Sequence, residues 1–159
     1  PATAARCSTI DLVGERDVPF GSALLFEHAE QRLLRFHVEI CEDLWVPIPP
    51  SSYAAMAGAT VLLNLSASNL TTGKAEFRHQ LVGNQSARCL AAYLYTAAGS
   101  GESTTDLAWD GHALAYENGT LIAESQRFSS EPQLTVAEVD LERLGQDRIR
   151  QNKIGRAHV

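Results

Sequence analysis

Between residues 33 and 97 the chain switches back and forth between two hydrophobic periods, and this order constrains the fold more than any other feature. Leu34, Phe36, Val38 and Ile40 alternate with Arg35, His37 and Glu39, the two-residue repeat of a strand with one apolar face. Pro49-Pro50-Ser51-Ser52 follows, a helix-start signal with Ser in position to cap. It predicts a short helix over 51–57, with Gly58 at its C′ position. Residues 60–66 are β-branched and leucine-rich and predict a buried strand. A polar loop spans 66–73. The next helix is expected over 74–90, where Phe77, Leu81, Ala75, Val82 and Cys89 recur to make one broad apolar side. Residues 91–97 read as another strand. Strand, helix, strand, helix, strand implies an α/β layered fold with right-handed crossovers. In such folds the active site lies beyond the carboxyl ends of the strands, where position 41 and the loop at 66–68 both fall.

The flanks read mainly as β. Short strands are predicted at 8–13, 18–20 and 23–26, with a turn at Gly14-Glu15-Arg16-Asp17. After a loop at 99–103, strands are predicted at 107–109, 112–116 and 121–125. Asn118-Gly119 between the last two is a hairpin signal. Residues 134–139 suit one more strand, and 140–150 are charged, as in a surface helix or a linker.

At 159 residues the chain is long enough for one sizeable core. A net charge of −6 argues against nucleic acid or an anionic membrane as partner. No apolar run approaches the roughly 20 residues needed to span a bilayer. The start, Pro1-Ala2-Thr3-Ala4-Ala5-Arg6, has no apolar signal region. Cys7, Cys41 and Cys89 are widely spaced and fit no zinc pattern, so a reducing cytoplasm is the expected setting. The last six residues, 154–159, read as a translated adaptor, a non-native tail.

Cys41 ends the alternating run and a turn-like stretch follows at once. A thiol where a strand gives way to a loop is placed to act as a nucleophile, because the strand fixes its backbone and the turn lifts its side chain into a cleft. Cys7 and Cys89 are read as inert packing residues. His37, His79 and His112 have no partners at metal-ligand spacing, and no metal is expected. The loop at 99–101 lacks the Lys-Ser/Thr of a phosphate loop. Ser66 and Ser68 lack the Gly-x-Ser-x-Gly elbow of a serine hydrolase.

Val38-Glu39-Ile40-Cys41-Glu42-Asp43 resembles the nucleophile segment of the nitrilase, or carbon–nitrogen hydrolase, superfamily. Val46-Pro47-Ile48-Pro49-Pro50-Ser51, Ala57-Gly58-Ala59-Thr60-Val61-Leu62 and Asn64-Leu65-Ser66 resemble the glutaminase domain of bacterial glutamine-dependent NAD synthetases. So do Ser86-Ala87-Arg88-Cys89-Leu90-Ala91-Ala92-Tyr93 and the block from Gly101 to Gly111. Together these blocks cover about 18–128. The resemblance implies a nitrilase-like αββα sandwich, here a partial domain over 1–140, with 141–153 as a linker or surface helix. It implies hydrolysis of the carboxamide of L-glutamine, with ammonia passing to a C-terminal NAD synthetase domain. ATP and Mg would serve that other domain, and no cofactor is expected in this chain. Homo-oligomers are common in the family and are expected here.

The resemblance makes Cys41 the nucleophile. Glu42 would face the substrate's α-ammonium and Ser68 would help hold the amino-acid end. Trp45 would wall the pocket, and Lys74, where relatives can carry arginine, could approach a carboxylate as a point charge. The backbone N–H after Cys41 is a candidate oxyanion donor. The family also uses a glutamate base and a lysine, both ahead of the cysteine. Asp11, Glu15, Asp17, Glu27, Glu30 and Glu39 precede Cys41, none in a matching motif, and no lysine occurs before position 74. Both groups are therefore expected upstream of Pro1, and the chain alone is expected to be inactive or nearly so. Two other readings remain open: a free-standing carbon–nitrogen hydrolase acting on another amide or nitrile, and a non-catalytic assembly module.

Overall fold

The computed structural model describes residues 8–102, 106–152 and 154. The described residues form two sheets. Strands β1 (Ser8–Leu12) and β2 (Glu15–Phe20) form an antiparallel hairpin of their own, mostly exposed. The second sheet has six strands in sequence order: β3 (Phe26–Glu27), β4 (Arg35–Ile40), β5 (Val61–Ser66), β6 (Ala92–Ala97), β7 (Ala113–Glu117) and β8 (Thr120–Glu124). The central strands β4, β5 and β6 run parallel; the outer pairings are antiparallel. The parallel crossovers contain α1 (Pro50–Met56) and α2 (Lys74–Cys89).

Alternation along the strands divides the side chains between two faces. Leu62, Tyr93, Tyr95, Leu114 and Tyr116 pack with Ala54 and Ala55 of α1 and Val82 and Cys89 of α2. On the opposite face Val61 and Ala92 pack with Phe36, Leu63, Leu94 and Leu144. Leu144 belongs to α3 (Leu141–Gln151) and is fully buried. Residues 141–151 are thus a helix seated on the sheet. Its Arg148 donates to the carbonyl oxygens of Leu90 (2.9 Å), Cys89 (3.0 Å) and Ala59. One guanidinium thereby satisfies the end of α2 and the approach to β5 at once.

The parallel core follows the sequence expectation within a residue or two, and Asn118-Gly119 makes the predicted hairpin with both residues at positive φ, 46° and 83°. The edges differ. The strand expected at 23–26 shrinks to β3, and residues 107–109 are irregular, with the Ala108 carbonyl accepting from Leu70 N at 2.8 Å. Residues 134–139 form no strand, because no described strand pairs with them, and Leu134 and Val136 stand exposed. Neither Ser51 nor Ser52 caps α1. Pro49 is its N-cap residue, and the buried Glu39 carboxylate on β4 accepts Ser51 N–H at 2.8 Å from across the layer.

The buried side of α2 also departs from expectation. Phe77 is 46% exposed, and the face turned inward is Ala75, Arg78, Val82, Gln85, Ser86 and Cys89. A guanidinium, an amide and a hydroxyl therefore sit in what the apolar repeat had marked as plain core.

Candidate active site

The carboxyl ends of β4, β5 and β6 open onto a cavity of about 410 Å³, lined by Ile40, Cys41, Leu65, Ser66, Thr96 and Glu102 among others. Cys41 is half-buried. It begins a 3₁₀ turn, Cys41–Trp45, directly after β4. Its φ is +50°, in the left-handed region that disfavours any residue with a Cβ. The elbow is held on both sides: Asp43 Oδ2 accepts Ile40 N–H at 2.8 Å, and Asn64 Nδ2 donates to the Cys41 carbonyl at 3.3 Å. Strain held in place by surrounding bonds is common where a side chain must be presented for chemistry. Cys41→Gly, which has no Cβ, is expected to be more stable than Cys41→Ala by about 1–2 kcal/mol. Urea denaturation of the two variants measures the difference; equal midpoints would mean that the elbow carries no strain.

None of the other four site residues singled out in the sequence, Glu42, Trp45, Ser68 and Lys74, lines the Cys41 cavity, although Glu42 and Trp45 share the 3₁₀ turn with Cys41. Trp45 is half-buried and packs on Phe77, with ring centroids 5.3 Å apart. Lys74 Nζ stands 5.2 Å from the Trp45 ring and donates to Asn69 Oδ1 at 2.7 Å. Burial, then the positive charge of Arg78, lowers the Lys74 pKa, while Cys41, Asp110 and Glu42 pull it back up. Lys74 is thus within electrostatic reach of both Cys41 and Glu42. Ser68 is buried, and its hydroxyl faces that of Tyr95, itself raised in pKa chiefly by burial. Glu42 is exposed, and the carboxylate lining the Cys41 cavity is that of Glu102. Cys89 is a packing residue: burial pushes its thiol up to about 11. Cys7 lies outside the described residues.

Two polar groupings had no forecast. The first runs beneath Cys41. Glu39, Asn64 and Tyr95 stand in one rung across the parallel strands and are all buried. The Tyr93 hydroxyl donates to Glu39, and its pKa is driven far above the tyrosine range by burial and by the Glu39 charge.

The second grouping is a chain of charges behind α2. Arg78 Nη1 donates to both oxygens of Asp110, at 3.2 and 3.0 Å, and Arg127 Nε reaches Asp110 Oδ2 at 3.1 Å. Burial by itself would raise the Asp110 pKa, but the hydrogen bonds and charge of Arg78, with those of Arg127, bring it below the usual carboxylate range. Arg78 Nη1 also lies 2.8 Å from His112 Nδ1, while His112 Nε2 lies 2.8 Å from Glu124 Oε1. His79 joins through Nε2, 3.2 Å from the same Glu124 oxygen, and through Nδ1, 2.7 Å from the Tyr116 hydroxyl.

The fold therefore gives His79 and His112 a shared neighbour that their sequence spacing had not suggested. The ligand atoms of His79, His112 and Glu124 lie within 4.8 Å of one another, close enough to consider a divalent cation. The hydrogen bonding opposes it. A guanidinium can only donate, so His112 Nδ1 must accept, and the ring proton resides on Nε2. That nitrogen gives its proton to Glu124 and has no lone pair for a metal. The cluster is built as a hydrogen-bonded network. Arg78 had one visible signal: a cation recurring in step with Ala75, Val82 and Cys89 on a helix face otherwise suited to the core.

Residues 10–149 match the family model described as carbon–nitrogen hydrolase. Over 138 residues the chain is 56% identical to a glutamine-dependent NAD(+) synthetase of Mycobacterium leprae, covering 87% of this chain and 20% of that protein. It is 33% identical over 132 residues to the glutamine-dependent NAD(+) synthetase of Saccharomyces cerevisiae, covering 82% of this chain and 18% of the relative. The chain thus spans about a fifth of the length of the curated relatives it matches. Among solved structures it resembles a glutamine-dependent NAD(+) synthetase from Cytophaga hutchinsonii, with a TM-score of 0.68 and 27% identity over 87% of this chain and 21% of that one. Its fold is also that of Saccharomyces cerevisiae Nit3, a nitrilase-superfamily member, with a TM-score of 0.63 at 20% identity over 86% of this chain and 53% of that one.

Proposed function

The chain belongs to the carbon–nitrogen hydrolase family, and from that premise we propose that it is the glutaminase domain of a glutamine-dependent NAD synthetase, with Cys41 as nucleophile. The observation that carries this reading is the Cys41 elbow, a left-handed cysteine at the carboxyl end of a parallel strand, opening on a cavity. Relatives at 56% identity named for glutamine-dependent NAD synthesis support the choice of substrate.

The chemistry follows from the amide. Its carbon is poorly electrophilic, so a thiolate is needed. Cys41 sulfur bonds to the carboxamide carbon of L-glutamine and the carbonyl electrons move onto oxygen. Donors aimed at that oxygen lower the barrier, and the Glu42 backbone N–H is one in this reading. Collapse reforms the carbonyl, breaks the C–N bond and expels ammonia, the nitrogen receiving the proton that a general base, a glutamate in the family, had taken from the Cys41 thiol. The resulting thioester is hydrolysed to glutamate. Glu42 and Ser68 hold the amino-acid end, Trp45 walls the pocket and Lys74 faces the substrate carboxylate. Ammonia then serves a C-terminal synthetase domain, to which ATP and magnesium belong: the loop at 99–101 has no lysine to follow it as a phosphate loop requires. A homo-oligomer in the cytoplasm completes the reading. No described helix is long and apolar enough to cross a membrane.

Substrate protection of the thiol tests this without requiring turnover. Millimolar L-glutamine is expected to slow alkylation of Cys41 by iodoacetamide at least threefold, as read by peptide mass spectrometry, while simple nitriles leave the rate unchanged. Protection by nitriles and none by glutamine would transfer the domain to the free-standing hydrolases. No protection by either would favour an assembly module.

A further inference from the structure

We propose that Asn64 is a positioning residue for the glutaminase reaction, acting by locking the peptide plane between Cys41 and Glu42. This rests on the reading of Cys41 as nucleophile and adds the means by which its oxyanion donor is aimed. Asn64 is 1% exposed and its side-chain nitrogen donates to the Cys41 carbonyl at 3.3 Å. That carbonyl and the Glu42 N–H are opposite edges of one planar trans peptide. Holding the oxygen therefore holds the N–H, pointed the other way.

The Cys41 cavity is walled by Ile40 and Leu65 from one set of strand positions and by Ser66, which shares the β5 face of Leu62 and Asn64, from the other. The peptide that Asn64 holds begins at Cys41 and so stands at the rim of this cavity. The need for such a lock is plain at this residue. Cys41 has φ +50°, so its peptide is not kept in place by an ordinary backbone preference. The Asp43 carboxylate fixes the preceding N–H, and Asn64 fixes the following carbonyl. Tyr93 donates to Glu39, which stands beside Asn64 in the same rung of the sheet.

The test uses two probes on the full chain. With γ-glutamyl p-nitrophenyl ester, Cys41 sulfur attacks the γ-carbonyl, a C–S bond forms, the ester C–O bond breaks and nitrophenolate leaves with the electron pair. That leaving group needs no acid, and the burst of colour reports acylation through an oxyanion. Iodoacetamide instead reacts by direct displacement of iodide and forms no oxyanion. Asn64→Ala is expected to slow acylation about 10²-fold, the cost of losing one aimed donor, with alkylation unchanged within about threefold. Asn64→Asp keeps the shape; as a carboxylate it cannot donate. Its acylation rate relative to the parent chain at the same pH is expected to be low where the introduced carboxyl is ionised and to recover as it protonates, at a pH above the ordinary aspartate value of about 4 because the position is buried. That recovery separates a lost donor from a damaged fold. Acylation at the parental rate in Asn64→Ala would overturn the proposal, and so would an equal fall with both probes. If the parent chain gives a burst that maps to a residue other than Cys41, the glutaminase reading falls first. A normal Cys41 burst indifferent to Asn64 would sink only this inference.

Discussion

Replacing Cys41 by serine is expected to abolish the acylation burst with γ-glutamyl p-nitrophenyl ester, an activated substrate whose leaving group needs no acid, with the fold intact. The loss follows from what a nucleophile does. Removing it eliminates the covalent path, and what is left is background reaction in a binding site. Serine retains the shape but presents an alkoxide precursor of far higher pKa, and the described residues near position 41 include no histidine placed to take its proton. Circular dichroism and urea denaturation of Cys41→Ser should match the parent, since both residues carry a Cβ at the same left-handed position. A variant that keeps its burst would show that acylation occurs elsewhere. Cys89 is a poor alternative, with its thiol pushed up to about 11 by burial.

Replacing Arg78 by alanine is expected to destabilise the domain by about 3–5 kcal/mol, the range for stripping one partner from a buried ion pair. Asp110 and Arg78 side chains are both fully inaccessible to solvent. Without Arg78, Asp110 keeps the half-buried Arg127 and the His112 backbone N–H at 3.4 Å, and His112 Nδ1 loses its donor. The pH dependence gives a second signature. In the parent the Asp110 pKa is depressed, so its contribution is present above the unfolded value of about 3.9 and disappears as pH falls through the folded value. In Arg78→Ala burial dominates and the Asp110 pKa rises. The deficit should therefore be largest at neutral pH and should shrink as Asp110 protonates in acid. Denaturant titrations at pH 7 and pH 4 measure this; a deficit that grows in acid would contradict the assignment. Arg78→Met with Asp110→Leu should regain much of the loss, because a buried pair replaced as a unit by apolar groups is often near neutral.

The parallel core was legible because three signals coincided there: alternation in β4, β-branched density in β5, and turn residues between them. The edges were not, since edge strands depend on partners that local sequence does not name. Residues 134–139 have the composition of a strand and no described strand to join. Cys41 stood out from its strand-to-loop position, and its resemblance to a nucleophile segment added the chemistry. Asn64 lay inside a recognised block yet carried no sign of its task, because its partner is 23 residues away. Arg78, Asp110 and His112 were missed for the same reason. Their pairing spans 32 and 34 residues, and only the assembled sheet brings β7 and its flanks behind α2.

The three carbonyls gathered by Arg148 bear on how this domain could be joined to anything else. Dividing the chain at Asp140 would free the carbonyls of Ala59, Cys89 and Leu90 at the foot of the layer. A guest module fused directly after Gln151 would instead start from a bolted helix. It would inherit a fixed launch direction set by the sheet and would not swing on a tether.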